Sequence, residues 1–312
     1  MPGIWNDAQI KEWKKITDAI HAKGSFVYCQ LWAMGRAANP AYAKGRGIPV
    51  ISSSPLPMPV SEAEGRPTVG DNPTEMTEQD IQDFIGYFAR GASNAKKAGF
   101  DGVEIHAANG YLIDQFTQDV VNKRTDAWGG SVEKRARFAI EVAKACVDAT
   151  DSSFVGIRLS PFSSFQGMKM ESKAITEQFS YLTTELKKLK LAYLHLVESR
   201  ISGSADGEHT GEKVSTFTDI WQSGSNATPV LLAGGFTADS SRRCVDDEHK
   251  GKEVAVVLGR HWISNPDLVY RFQHNIDLIP YNRSTFYDAK NPKGYNDYPY
   301  SEEFTKETGL KV

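Results

Sequence analysis

Short apolar, β-branched runs alternate along this chain with longer stretches in which apolar residues recur every three or four positions. The first pattern suits buried strands and the second amphipathic helices, so their alternation predicts βα units and a parallel sheet. Six strands are predicted, over residues 26–32, 102–106, 154–160, 193–198, 229–234 and 254–259. A helix is predicted from Thr77, whose hydroxyl can cap free amides while Asp80 supports the first turn. Its Ile81, Phe84, Ile85, Phe88, Ala92 and Ala95 then form one apolar face. Residues 131–149 and 176–188 read as further crossover helices, whereas the Pro- and Ser-rich stretch 48–73 is too irregular for one. No repeat or low-complexity tract interrupts this order, and a single domain over residues 1–312 is expected. Six strands alone leave an open doubly wound sheet and a barrel both standing, because a closed (β/α)8 barrel needs eight.

Bulk properties narrow the function classes. A chain of 312 residues, 40% of them hydrophobic, can bury a large core, and barrels of this size occur as one domain. A formal net charge of -3 gives no reason to expect nucleic acid or an anionic membrane as partner. No apolar run approaches the ~20 residues of a spanning helix, and the opening Met1-Pro-Gly-Ile-Trp-Asn-Asp has no secretory pattern. Cys29, Cys146 and Cys244 are odd in number and widely spaced, which argues against a disulfide framework and suits a reducing compartment. A soluble, cytoplasmic protein is expected. The seven histidines are dispersed, and no His/Cys cluster has ligand spacing, so no metal site is expected.

Candidate chemistry is densest at the end of the second predicted strand, in His106-Ala-Ala-Asn109-Gly-Tyr111. Imidazole and carboxamide can both donate to one oxygen, and a phenol keeps a proton to deliver at neutral pH. That combination suits a carbonyl-activated substrate that must receive a proton. The bland alternative is a strand-end His bonded to backbone, a turn Asn and a packing Tyr. Arg158, inside the apolar run Val-Gly-Ile-Arg-Leu-Ser, is costly unless paired, either with a structural carboxylate or with a ligand.

The run from His106 through Asn109, Tyr111 and Gln115-Phe116, continued by Asn122-Lys-Arg-Thr-Asp126-Ala-Trp-Gly-Gly-Ser131-Val-Glu-Lys-Arg-Ala-Arg-Phe138, closely resembles the Old Yellow Enzyme family of FMN-dependent ene-reductases. Trp128 stands where that family more often has Tyr. The resemblance implies a TIM (β/α)8-type barrel in which these six strands are the third to the eighth; the family's N-terminal hairpin, first two strands and intervening helix have no counterpart here. It implies further that His106 and Asn109 hold a substrate carbonyl or nitro oxygen while Tyr111 protonates the α-carbon. Gln30 and Arg158 would meet the pyrimidine edge of FMN, Trp32 would stand at the substrate mouth, and Phe286 and Tyr287 would form an aromatic wall.

In such a barrel, the loops after the seventh and eighth strands commonly take a phosphate. Here they carry Gly234-Gly235 and Gly259-Arg260, glycines for close amide approach and a forked cation; ordinary turn glycines are the alternative. No Rossmann or Walker loop is present, which favours FMN over a permanently held dinucleotide. The expected activity is reduction of enones or enals, with NADPH or NADH as transient reductant. The rivals are a flavin-free homologue acting as a binding or scaffold protein, an inactive one, and a flavin-independent isomerase using His106 and Tyr111. Strand edges left unpaired would favour self-association and weaken FMN binding.

Overall fold

Parallel strands must be joined by crossover connections that are usually helices, and the observed element order alternates strands with helices. The computed structural model describes residues 2–59, 72–199, 201–202, 205–206, 213–288 and 290–310. Two compact units emerge, Met1–Leu232 with Gly251–Ala255, and Ala233–Lys250 with Val256–Val312.

The first unit opens on helix α1 (Asp7–His21), where Asn6 accepts the Gln9 amide at 2.9 Å and the Gln9 side chain accepts the Asn6 amide at 3.2 Å. This reciprocal cap satisfies two otherwise orphaned donors. Strand β1 (Tyr28–Leu31), helix α2 (Pro40–Lys44) and the parallel pair β2 (Ile51–Ser52) and β3 (Thr74–Glu75) follow. Helix α3 (Glu78–Lys97) starts where expected, with Thr77 and Asp80 capping each other. Next come β4 (Gly102–His106), α4 (Leu112–Thr117), α5 (Val132–Ala149), β5 (Val155–Leu159), α6 (Ser172–Lys187) and β6 (Tyr193–Val197). The antiparallel pair β7 (Ile201–Ser202) and β8 (Ala205–Asp206), helix α7 (Ser215–Gln222) and strand β9 (Val230–Ala233) lead to β10 (Val254–Val257).

One sheet collects the six expected strands in the order β1-β4-β5-β6-β9-β10. The pairings β1–β4, β4–β5 and β5–β6 are parallel. β4 keeps its sequence-based range, and the other five strands are trimmed by one or two residues at one or both ends; Phe26, 83% exposed, lies outside β1. Val103, Ile105, Ile157 and Leu194 are fully buried, and the apolar faces of α3 (Ile81, Ala92, Ala95) and α5 (Phe138, Val142, Cys146) cover them. Phe84 and Ile85, placed on the same α3 face by periodicity, are only half-buried.

Two elements depart from expectation. Helix α6 begins at Ser172 rather than residue 176, because Ile175 is fully buried and anchors an extra turn. Helix α4 had no periodic signal at all: its six residues are all buried, so no polar face marks the period.

The second unit contains α8 (Ala238–Arg243), which Thr237 caps, and runs on into a π-helical turn at Cys244–Glu248. Helices α9 (Arg260–Ser264), α10 (Leu268–His274) and α11 (Glu302–Thr308) complete it. Buried Asp267 accepts from Arg271 Nε at 2.7 Å, and from the Ser301 amide and hydroxyl at 2.9 and 2.6 Å. The carboxylate thereby joins α10 to the N-cap of α11, its charge compensated on both sides. Among the described residues no helix is long and apolar enough to cross a membrane.

Candidate active site

Parallel register stacks the polar residues of the first unit into levels. At one level Gln30, Glu104, Gly156 and Tyr193 stand side by side on β1, β4, β5 and β6. Two residues further along, on the same faces, are His106, Arg158 and His195. Glycine at position 156 is required here, because a Cβ would collide with the Tyr193 ring. Glu104 lies at the centre: its Oε1 accepts from Gln30 Nε2 at 2.7 Å, and its Oε2 is 2.7 Å from His195 Nδ1 and accepts from the Tyr193 hydroxyl at 3.1 Å. Burial opposes its ionisation, yet the His195 bond, the Gln30 bond and the charge of Arg158 hold this carboxyl at about 2. Glu104 thus places a negative charge near the buried Arg158.

His106 is 6% exposed. Burial, then the Arg158 charge, pushes its pKa down to about 3, so it is a neutral imidazole over the physiological range. His195 is likewise lowered by burial, against the pull of Glu104. Four buried nitrogens in this cluster have no hydrogen-bond partner among the described residues: His106 Nδ1, Arg158 Nε, His195 Nε2 and Trp32 Nε1. Such groups are costly to leave unmet and call for a polar ligand or water.

The loop after β4 turns sharply. Asn109 and Gly110 both adopt positive φ, 58° and 73°, a conformation Asn tolerates and Gly prefers. A Cβ on Gly110 would also lie 2.8 Å from Gln166 Cβ. Buried side chains fix the backbone: Ser160 Oγ accepts the Asn109 amide at 2.7 Å, Gln166 donates to the Asn109 carbonyl at 2.8 Å, and Asp114 accepts the Gly110 amide at 2.8 Å. Gln115 donates to the Gly110 carbonyl at 2.7 Å and to the Met34 carbonyl at 3.1 Å. The turn delivers the Tyr111 ring edge-on to Trp32, at 4.7 Å, and to His106, at 5.0 Å. Gln30, Trp32, His106, Asn109, Tyr111 and Arg158 therefore all lie in this unit, at the C-terminal ends of neighbouring strands or in the loop after β4. Cys29 is not a nucleophile in waiting, since burial raises its thiol to about 11.

Glu104, Tyr193, His195, Asp114 and Gln115 escaped the reading of the sequence. The signal for Glu104 was present: a carboxylate in an otherwise apolar strand, two positions before His106 and so on its face.

The second unit carries the remaining candidates. Gly234 and Gly235 have φ of 142° and 60°, values that side-chain-bearing residues rarely adopt. Gly259 precedes α9, whose first residue, Arg260, sets its guanidinium 5.3 Å from the centre of the Tyr281 ring. The Phe286 ring packs 5.5 Å from Tyr281, whereas Tyr287 is 85% exposed. The π-helical turn brings ligand atoms of Cys244, Glu248 and His249 within 4.8 Å of one another, a grouping the histidine spacing did not suggest.

The chain matches the NADH:flavin oxidoreductase / NADH oxidase family over residues 1–278 and belongs to it. It is an NAD(P)H-dependent flavin oxidoreductase of the Old Yellow Enzyme type, with FMN as its cofactor. Among its relatives, the chanoclavine-I aldehyde reductase fgaOx3 of Penicillium roqueforti is 52% identical over 306 residues, covering 98% of this chain and 79% of the relative. The probable inactive dehydrogenase easA of Claviceps purpurea is 45% identical over 309 residues, 97% of this chain and 78% of that protein. The crystal structure of Old Yellow Enzyme from Pichia sp. AKU4542 superposes with a TM-score of 0.82 at 34% identity, covering 96% of this chain and 75% of that one. The fold class is accordingly the TIM barrel, six strands of which lie in these residues. The unmet Nε of Arg158, a donor, fits a planar, acceptor-rich group such as the flavin ring.

Proposed function

We propose that the protein reduces the activated C=C bond of α,β-unsaturated carbonyl compounds, enals and enones. The observation that carries this reading is the neutral, buried His106 set beside Asn109 and Tyr111 in one sharply turned loop. Neutral donors can hold a carbonyl oxygen and strengthen their bonds as negative charge develops on it, without first transferring a proton. His106 and Asn109 take that role, and Trp32 walls the substrate mouth. Tyr111 then delivers a proton to the α-carbon. FMN, when bound, would supply the hydride-transfer chemistry between NADPH or NADH and the β-carbon. Gln30 and Arg158 hold the ring's pyrimidine edge, where the fixed charge of Arg158 favours the electron-rich reduced form. In the second unit, Gly234, Gly235, Gly259 and Arg260 are assigned to the phosphate, and Phe286 and Tyr287 to the aromatic wall. The name of the fgaOx3 relative as an aldehyde reductase supports an enal as substrate.

The test is binding of a phenol, an oxyanion that mimics the held carbonyl. Phenol titrations should give a long-wavelength band in the wild type, and His106→Ala or Asn109→Ala should weaken binding by about 1.5–3 kcal/mol, the usual worth of a hydrogen bond to a charged group. Unchanged titrations in both variants would remove the pair from this role. Arg260→Ala should weaken FMN by about 1.5–3 kcal/mol and leave riboflavin nearly unaffected; equal losses would make Arg260 structural.

A second reading, an inactive binding protein, draws support from the easA relative, which is named as probably inactive. Stoichiometric turnover of an enal by the NADPH-reduced protein would exclude it.

A further inference from the structure

An ionised carboxylate can only accept hydrogen bonds, and this has consequences for every group that touches Glu104. Gln30 must turn its amide nitrogen inward, which leaves its carbonyl Oε1 facing away from Glu104. Tyr193 commits its one hydroxyl proton. His195, 2.7 Å away through Nδ1, must carry its proton on that atom, so its buried, unpartnered Nε2 is a bare acceptor at the level of Arg158. Arg158 supplies only donors. One buried carboxylate thus sets the polarity of a whole surface: an acceptor on Gln30, an acceptor on His195, and donors on Arg158.

We propose that Glu104 is a positioning residue that locks Gln30 with its carbonyl outward and His195 as the Nδ1–H tautomer, so that the site selects an imide-type ring edge, an N–H flanked by carbonyl oxygens. The proposal rests on the assignment of Gln30 and Arg158 to the flavin edge and adds the group that makes them selective. Gly156 belongs to the same device, since its missing side chain lets Tyr193 reach past β5 to the carboxylate.

Glu104→Gln is the informative change, because an amide of the same size cannot accept on both sides. Its NH₂ group must face either Gln30, which then flips to present its own NH₂ outward, or the His195–Tyr193 side, which forces the proton of His195 onto Nε2. Apoprotein is titrated with FMN and with N3-methyl-FMN, which lacks the imide N–H. The wild type should prefer FMN by at least about 10-fold, as sites built around a hydrogen bond reject analogues lacking it. In Glu104→Gln that preference should fall toward unity. The double variant with Gln30→Ala should lose no more than either single change, since both act through one contact. Retained preference in Glu104→Gln with His195 still protonated on Nδ1, or additive losses, would overturn the proposal. An independent arm needs neither cofactor nor variant: ¹⁵N shifts of His195 in the wild-type apoprotein should report Nδ1–H and bare Nε2 from pH 5 to 9. The opposite tautomer, or a doubly protonated ring, would overturn the proposal even if FMN binds. Failure of the wild type to bind FMN, by contrast, would strike the cofactor assignment and leave the histidine signal to decide on Glu104.

Discussion

Tyr111→Phe is expected to reduce flavin with NADPH near the wild-type rate but to slow the oxidative half-reaction with an enal by about 10²–10⁴-fold, the usual contribution of a general acid. The structure makes the change clean. The ring is held edge-on by Trp32 at 4.7 Å and His106 at 5.0 Å, and phenylalanine keeps both contacts, so only the hydroxyl is lost. Anaerobic stopped-flow measurement of the two half-reactions separates the cases. Equal slowing of both, or of neither, would take Tyr111 out of the proton-donor role.

The second large effect concerns stability and pH. Asp114 is completely buried behind the loop that follows β4. Burial raises its pKa to about 7, despite opposing bonds from Gln118 and the Gly110 amide and the charge of Arg36. A carboxyl whose folded value is raised binds its proton more tightly in the native state. Its stabilising contribution is therefore complete below the unfolded value, near ~3.9, and is lost as pH rises through about 7. Asp114→Asn mimics the neutral acid and does not titrate. The stability of the wild type relative to the variant should fall between about pH 4 and pH 7, by a few kcal/mol at most, and stay level above. Urea unfolding at intervals across that range measures it. Parallel curves for the two proteins would mean that Asp114 stays ionised in the fold.

Much of this architecture could be read from the chain, and the limits have physical causes. Strands β4, β5 and β6 announced themselves as β-branched runs, and the start of α3 was visible in the Thr77–Asp80 pair, because each depends on residues adjacent in sequence. The loop candidates His106, Asn109 and Tyr111 were legible for the same reason. Glu104–His195 was not: its members lie on β4 and β6, and only the register of the intervening strand brings them within 2.7 Å. The buried scaffold of Asp114 and Gln115 was hidden differently. These polar residues sit on a helix with no exposed face, so periodicity had nothing to separate. Tyr281 went unnoticed because its partnership with Arg260 and Phe286 is set by the path of a C-terminal segment low in regular structure.

The alignment of His106, Arg158 and His195 at one level has a consequence for how such a protein can vary over generations. Side chains alternate between the two faces of a strand, so one residue inserted within β5 ahead of Arg158 would turn Arg158 toward the helices and bring Ile157 to the level of His106 and His195. Point substitutions change one group at a time, but a frame slip in any central strand would scramble the whole constellation at once. Length variation among descendants should therefore be confined to the loops, with β4, β5 and β6 inherited at fixed length, and a library of single-residue insertions should show an abrupt loss of flavin retention at those three strands.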